Sequence, residues 1–137
     1  MNSDLILRFL VAAGISGLGV ALYILGNRLI LARASNKVKR FENYQTGQAA
    51  IVYFTTPTCA PCKTIQRPAL ETLKKKLGER LQIIEVDASQ RPDLAQDWGV
   101  MSVPTTFVID STGSPRHVNH GATSAEKLTN QLEDFVI

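Results

Sequence analysis

The chain has 137 residues and two cysteines, Cys59 and Cys62, with two residues between them. They follow a short apolar run, 49–55, and stand directly before a stretch with helical periodicity. The start of a helix exposes unpaired N–H groups and the positive end of the helix dipole, which stabilise a thiolate on Cys59. A thiolate is the attacking species in thiol–disulfide exchange, and Cys62 lies one helical turn further on. The spacing therefore predicts dithiol chemistry, with Cys59 as the nucleophile, Cys62 as the resolving thiol and Pro61 stiffening the loop between them.

Other uses of a cysteine pair fit this sequence less well. A zinc site requires four ligands, and the usual candidates that remain are His117 and His120, whose spacing does not match a zinc finger. Two residues three apart on a strand also point to opposite faces. Two cysteines are too few for a disulfide-stapled secreted scaffold. An inert disulfide and a metal cluster shared between two chains remain as alternatives, and the favoured interpretation requires no metal and no organic cofactor.

The elements that position the cysteines are predicted from periodicity and turn residues. Strands are predicted at 49–55, 81–86, 103–109 and 116–120, with helices after the first strand, at 89–98 and after 123. Pro68 predicts a kink in the first of these helices, whose inner face is predicted to carry Ile65, Leu70, Leu73 and Leu77. Strands separated by helices favour parallel pairing, and the turn at Gly113 predicts one antiparallel pair. The order βαβαββα predicts an α/β fold, with a mixed central sheet and helices on both faces.

The segment TTPTCAPCK surrounds the cysteine pair, the triplet Val103-Pro104-Thr105 opens a later strand, and Gly121 precedes the last helix. In these features residues 49–136 resemble the thioredoxin family. The resemblance implies a thioredoxin-like fold with a cis Pro104 beside the disulfide. It also implies that the Val103 backbone pairs with an extended substrate segment, and that electrons come from a partner reductase or another dithiol.

Several positions depart from the pattern of that family. Tyr53 stands where the family often has a buried Asp, and Ile83 is the position aligned with the lysine that often partners this Asp. Thr58 replaces the common Trp before the first cysteine, and Ala60 replaces Gly in the dipeptide. The first strand and helix of a full thioredoxin are expected to be shortened or absent. An accessory or docking subunit of a membrane complex is therefore a second functional hypothesis.

The N-terminal segment has the composition of a membrane anchor. From Phe9 to Leu25 seventeen residues carry no charge, and a helix over 5–25 would be about 30 Å long, the thickness of a bilayer core. Arg8 at one end can extend to the interface. The favoured interpretation is one uncleaved transmembrane helix flanked by Arg28. A buried helix and a signal peptide cleaved near Ala32-Arg33-Ala34 are the alternatives.

The basic charge belongs to this segment. Residues 1–40 carry six Lys/Arg and one acid (+5), and residues 41–137 carry nine Lys/Arg and eleven acids (−2), which gives the net +3. A nucleic-acid-binding domain would concentrate Lys/Arg on its folded part, so this class is not expected. Five Lys/Arg follow the apolar run and one precedes it, which predicts a cytoplasmic domain, with the extracytoplasmic face as the alternative.

The chain is thus divided into an anchor with its basic flank at 1–34, a juxtamembrane linker at 35–48 and a thioredoxin-like domain at 49–137. Small residues recur every four positions within the anchor, at Ala13, Gly17 and Ala21. Such a stripe allows another helix to approach closely, so a transmembrane partner is a further possibility. The expected partners are protein disulfides, an electron donor and the lipid bilayer.

Overall fold

One long N-terminal helix leads into a four-stranded sheet with helices on both faces. The computed structural model describes residues 2–35 and 37–136. The main elements, in chain order, are α1 (Asn2–Ala34), β1 (Ala49–Thr55), α2 (Arg67–Leu77), β2 (Leu81–Asp87), α3 (Pro92–Asp97), β3 (Thr105–Ile109), β4 (Pro115–His120) and α4 (Ala125–Val136). The predicted fold class, with a mixed sheet between helices, is confirmed.

The strand order in the sheet is β2-β1-β3-β4, with β1 parallel to β2. β3 pairs antiparallel with β1 and with β4, so the expectation of a single antiparallel pair is wrong. The connection between β2 and β3 explains the difference. A strand of seven residues is about 23 Å long, whereas the six-residue α3 spans only about 9 Å. The chain therefore enters β3 at the end of the sheet where it left β2.

Alternate side chains of β1 supply two separate cores. Ile51 and Tyr53 pack with residues of α2 and α4 on one face of the sheet. Val52 and Phe54 pack on the other face around Trp98, which is almost completely buried. The Trp98 ring centroid lies 4.9 Å from that of Phe107 and 5.8 Å from that of Phe54. Both faces of the sheet are therefore covered.

The helix after the cysteines is irregular at its start. Residues Cys62–Gln66 form a π-helical turn, in which the Arg67 N–H reaches back to the Cys62 carbonyl, and the regular helix α2 begins only after it. Pro68, in the first turn of α2, has no N–H to continue the earlier pattern. The wider turn shifts the helix face, so Ile65 is 52% exposed rather than inward, and Gln66 is buried in its place.

Helix α1 has two different surroundings along its length. By length and composition α1 is able to cross a membrane, and the mean hydropathy of its most apolar window is 2.1. The apolar side chains up to Leu25 are exposed, but Ala34 is completely buried in the core around Trp98. The predicted linker also contacts the domain: Val38 is fully buried, and Lys37 forms an ion pair of 2.9 Å with Asp97.

The turn between β3 and β4 is organised by the buried carboxylate of Asp110. It accepts hydrogen bonds from the Thr112 and Ser114 backbone N–H groups and from Arg116 Nε at 2.6 Å. Burial alone would raise the pKa of Asp110, but the hydrogen bonds from Thr112, Ser114 and Arg116 outweigh it and lower this pKa from 3.8 to about 2. The charged carboxylate therefore stabilises the folded state.

We predict that Asp110→Asn removes a pH-dependent part of the stability. Because the folded-state pKa is depressed, the stabilisation is complete above about pH 4 and is lost as the pH falls through about 2. The variant should lose about 2 kcal/mol of unfolding free energy at pH 7. Its urea unfolding curves should vary less between pH 4 and pH 2 than those of the wild type. Asp93→Asn, which alters an exposed carboxylate, is the control and should change little. An unchanged pH slope in Asp110→Asn would contradict the prediction.

Candidate active site

Cys59 and Cys62 form a disulfide at the start of the helical segment that leads into α2, with Cα atoms 5.3 Å apart. Cys62 is 1% exposed, whereas Cys59 is 8% exposed and is the more accessible sulfur. The backbone N–H of Cys62 donates to Cys59 Sγ at 3.2 Å. This N–H belongs to the first helical turn, so the helix start is aimed at the Cys59 sulfur as the sequence predicts. The geometry favours a thiolate on Cys59 once the disulfide is reduced.

The loop before β3 forms the second part of the site. The Val103–Pro104 peptide bond is cis, and Pro104 is buried. The Thr105 hydroxyl donates to the Ser102 carbonyl at 2.6 Å, which closes the loop on itself. Val103 packs against both cores, including the one that contains the two cysteines. The structure thus brings the triplet predicted from the sequence to the end of the sheet where β1 leads into the cysteine loop.

Gln66, which the sequence reading did not single out, ties the cysteine helix to the loop after β4. Its side chain is completely buried. Its Oε1 accepts from the Thr123 N–H at 2.9 Å, and its Nε2 donates to the Thr123 carbonyl at 3.3 Å. Two residues earlier, the Gly121 N–H donates to the Pro104 carbonyl at 2.8 Å. The amide of Gln66 and the N–H of Gly121 therefore connect the cysteine helix to the cis-proline loop.

Tyr53 lies beneath the cysteines, and the residue paired with it on β2 is a charged one. The register pairs Tyr53 with Glu85, and Ile83, the position aligned with the family's lysine, pairs with Ile51. Glu85 forms an ion pair of 3.1 Å with Arg67, and both side chains are about half exposed. The Tyr53 phenol therefore lies beside an ion pair at the surface.

The Tyr53 hydroxyl donates to the Cys62 carbonyl at 3.3 Å, and Tyr53 is almost completely buried. Burial raises the pKa of Tyr53, and the nearby Glu85 charge adds to this rise, while a hydrogen bond with Thr55 and the Arg67 charge oppose it. The phenol therefore remains protonated at neutral pH and acts as a hydrogen-bond donor. It holds the backbone of Cys62 rather than its sulfur.

The two histidines lie on β4 and are not brought together with the cysteines as a ligand set. His117 packs against Phe135, with ring centroids 6.3 Å apart, and burial lowers its pKa although Asp134 opposes this. His120 Nε2 lies 3.3 Å from Asn27 Oδ1 of α1. Within 2–35 and 37–136, no group of three or more His, Cys, Asp or Glu side chains is placed to hold a metal ion.

Known proteins share this fold and this cysteine pair. The sequence model of the Thioredoxin family matches residues 33–134. Thioredoxin of Bacillus subtilis is 41% identical over 56 residues, which are 41% of this chain and 53% of the relative. Thioredoxin of Listeria monocytogenes is 31% identical over 96 residues, which are 70% of this chain and 91% of the relative. A solved structure of thioredoxin-2, described as a component of malaria parasite protein secretion machinery, superposes with a TM-score of 0.61 at 21% identity, covering 66% of this chain and 86% of that one.

The chain belongs to the thioredoxin family, because the family model matches most of its length. This confirms the resemblance that the cysteine segment and the proline triplet predict. The similarity to the Bacillus protein spans about half the length of that relative, 53%. Thioredoxin relatives together with a CxxC-spaced, disulfide-bonded pair support thiol–disulfide oxidoreductase activity.

We predict that Gln66→Ala destabilises the protein strongly for a polar-to-alanine change. It removes two buried hydrogen bonds and leaves the N–H and C=O of Thr123 without partners, at a cost of about 2 to 4 kcal/mol. The measurement is the free energy of unfolding of the detergent-solubilised chain in urea. Gln90→Ala, at an exposed glutamine, is the matched control and should be nearly neutral. Equal effects of the two substitutions would show that the Gln66 contacts carry no stability.

Proposed function

We propose that this protein is a membrane-tethered thiol–disulfide oxidoreductase that reduces protein disulfides through Cys59 and Cys62. The observation that carries the proposal is the disulfide-bonded pair at a helix start, with the Cys62 N–H on Cys59 Sγ, in a thioredoxin-family domain. The long apolar helix α1 supports the tether. The domain works mainly as a reductant, and it needs no metal or organic cofactor.

The reaction transfers two electrons and two protons from the dithiol to the substrate. The Cys59 thiolate attacks one sulfur of a substrate disulfide, so that a mixed disulfide forms and one substrate thiolate leaves. Cys62 then attacks Cys59 Sγ, loses its proton and releases the second substrate thiolate. The Cys59–Cys62 disulfide that results is the state of the present structure. A partner reductase or another dithiol returns the pair to the reduced form.

The loop around Pro104 supplies the substrate-binding surface in this proposal. The Val103 backbone pairs with an extended segment of the substrate, while Pro61, Pro104 and Thr105 shape the surface on either side of the disulfide. The hydrogen bonds within this loop, from Thr105 to Ser102 and from Gly121 to Pro104, support the assignment because they hold the loop in one conformation. A fixed loop lowers the entropic cost of binding an extended segment.

The Cys62→Ser variant should accumulate mixed disulfides through Cys59, because the second step has lost its nucleophile. We expect the adducts on non-reducing gels, and mass spectrometry should locate the bond at Cys59. Cys59→Ser is the matched control and should trap little, since Cys62 is almost completely buried. Absence of adducts from Cys62→Ser, together with absence of insulin reduction by the wild type, would overturn the catalytic assignment.

The side of the membrane is proposed from charge alone. Between Arg28 and Arg40 five Lys/Arg follow the apolar run, which favours a cytoplasmic domain. α1 holds the chain in the bilayer through the span from Phe9 to Leu25, with Arg28 at its end. The stripe of Ala13, Gly17 and Ala21 lies on this span, and a helix partner there remains a prediction.

Single reporter cysteines in a Cys59→Ser/Cys62→Ser chain test this topology. Thr46→Cys is exposed on the domain, and Asn2→Cys is exposed at the other end of α1. In intact cells an impermeant maleimide should label Asn2→Cys but not Thr46→Cys, which should react only after permeabilisation. Labelling of Thr46→Cys in intact cells would place the domain outside. Loss of the full-length chain from carbonate-washed membranes would contradict the tether.

A further inference from the structure

The domain begins to cover α1 where the apolar run ends. Every described side chain from 2 to 25 is exposed, whereas Gly26 and Asn27 are half-buried. Ile30 and Leu31 pack against the core around Trp98, and Ala34 is fully buried in it. α1 is one continuous helix through this change of surroundings. The position of the domain relative to the apolar span is therefore set by packing contacts and by an uninterrupted helix.

Three contacts give the direction in which α1 crosses the domain. Val38 follows the C-terminal end of α1 and lies at the turn between β3 and β4. If Gly113 in this turn carried a Cβ atom, that atom would be 3.5 Å from Val38 Cγ1. Ile30, further back along α1, lies next to Gly99, which follows α3. A Cβ atom on Gly99 would be 3.5 Å from Ile30 Cγ1. At the other end of β4, Asn27 Oδ1 lies 3.3 Å from His120 Nε2.

The end of the sheet that Asn27 reaches is the end that carries the disulfide. His120 pairs with Thr105, which directly follows Pro104. Phe54, at the end of β1 that leads to Cys59, pairs with the same Thr105. α1 therefore leaves the domain at the disulfide end, and its apolar span continues outward from there.

The distances along α1 place this end close to the bilayer. Leu25 and Asn27 are two residues apart, about 3 Å along a helix axis. Outside α1, the two large apolar side chains with the highest exposure among the described residues are Met101, at 90%, and Ile65, at 52%. They lie three residues from Pro104 and from Cys62, respectively. The exposed apolar surface of the domain is thus found at the end nearest the span.

We infer that the disulfide end of the domain faces the membrane surface, and that its substrates are disulfides of integral membrane proteins lying next to the bilayer interface. The inference rests on the tethered oxidoreductase function proposed above, and it adds the location and class of the substrate. A helical tether raises the effective concentration of the dithiol at that depth and lowers it elsewhere. Arg28, exposed at the junction, suits the phosphate layer of the headgroups.

Orientation is tested without any redox chemistry. In the Cys59→Ser/Cys62→Ser chain, a nitroxide is attached at Met101→Cys, near the disulfide, or at Thr46→Cys, beside the Gly47–Ser111 contact at the far end. Each protein is reconstituted in vesicles containing nickel-chelating lipid headgroups. The nitroxide at 101 should relax several times faster than the one at 46. Equal relaxation, or faster relaxation at 46, would overturn the inference.

Substrate class is tested with the full-length dithiol protein in vesicles. Two single-span peptides carry the same disulfide loop, one directly after the span and the other twenty residues further out. The near loop should be reduced about tenfold faster. Seven helix-forming residues inserted between Leu25 and Gly26 add about two helical turns. They move the domain outward by about 10 Å and keep its rotation about the helix axis nearly unchanged. The insertion variant should lose the preference for the near loop.

Soluble insulin separates the two proposals. The wild type and the insertion variant should both reduce insulin, because the insertion lies outside the contacts that form the domain. Equal reduction of the near and distant loops by the wild type would overturn the membrane-surface inference and leave the oxidoreductase function intact. Failure of the wild type to reduce insulin or either loop would instead overturn the oxidoreductase function, and the substrate class with it.

Discussion

The structure depends on one helix that has to satisfy two different surroundings. Up to Leu25, α1 presents exposed apolar side chains of the kind that lipid accommodates, and by Ala34 the same helix is buried in protein. The sheet face around Trp98 requires this, because α3 has six residues and covers only a short stretch of it. The end of α1 and the segment around Val38 and Phe41 complete the cover. The last turns of α1 are thus part of the core of the domain, whereas its apolar side chains up to Leu25 stay outside it.

The site depends on contacts between segments that are far apart in the chain. Gln66 and Thr123 are separated by 57 positions, and their paired hydrogen bonds fix the cysteine helix against the loop that also holds Pro104. Each of these bonds uses backbone groups, so the geometry is insensitive to the identity of most surrounding side chains. The π-helical turn after Cys62 is what turns Gln66 inward. An irregular helix is therefore the means by which the redox pair is fixed to the rest of the site.

The local patterns of the sequence predict the fold class, the strands and the cysteine chemistry, because alternation, turn residues and CxxC spacing are short-range signals. The helical pattern predicts Ile65 on the inner face, and the structure differs because the π-helical turn changes the helical repeat by one residue. Local patterns do not identify Glu85 as the neighbour of Tyr53, because register depends on pairing across the sheet. The contacts of Gln66 and of Ala34 are likewise not predictable from local sequence patterns. Each depends on a partner distant in sequence, and no local periodicity reports such a partner.

The polar groups around Cys62 limit how the buried thiol can lose its proton. Tyr53 keeps its own proton, because burial raises its pKa, and it donates to the carbonyl of Cys62 rather than to the sulfur. Glu85 is held in an ion pair with Arg67 on the surface. Within the described residues, no carboxylate is hydrogen-bonded to Cys62. In the proposed exchange the first substrate thiolate, released when the mixed disulfide forms, is a base that can accept the Cys62 proton before Cys62 attacks Cys59 Sγ.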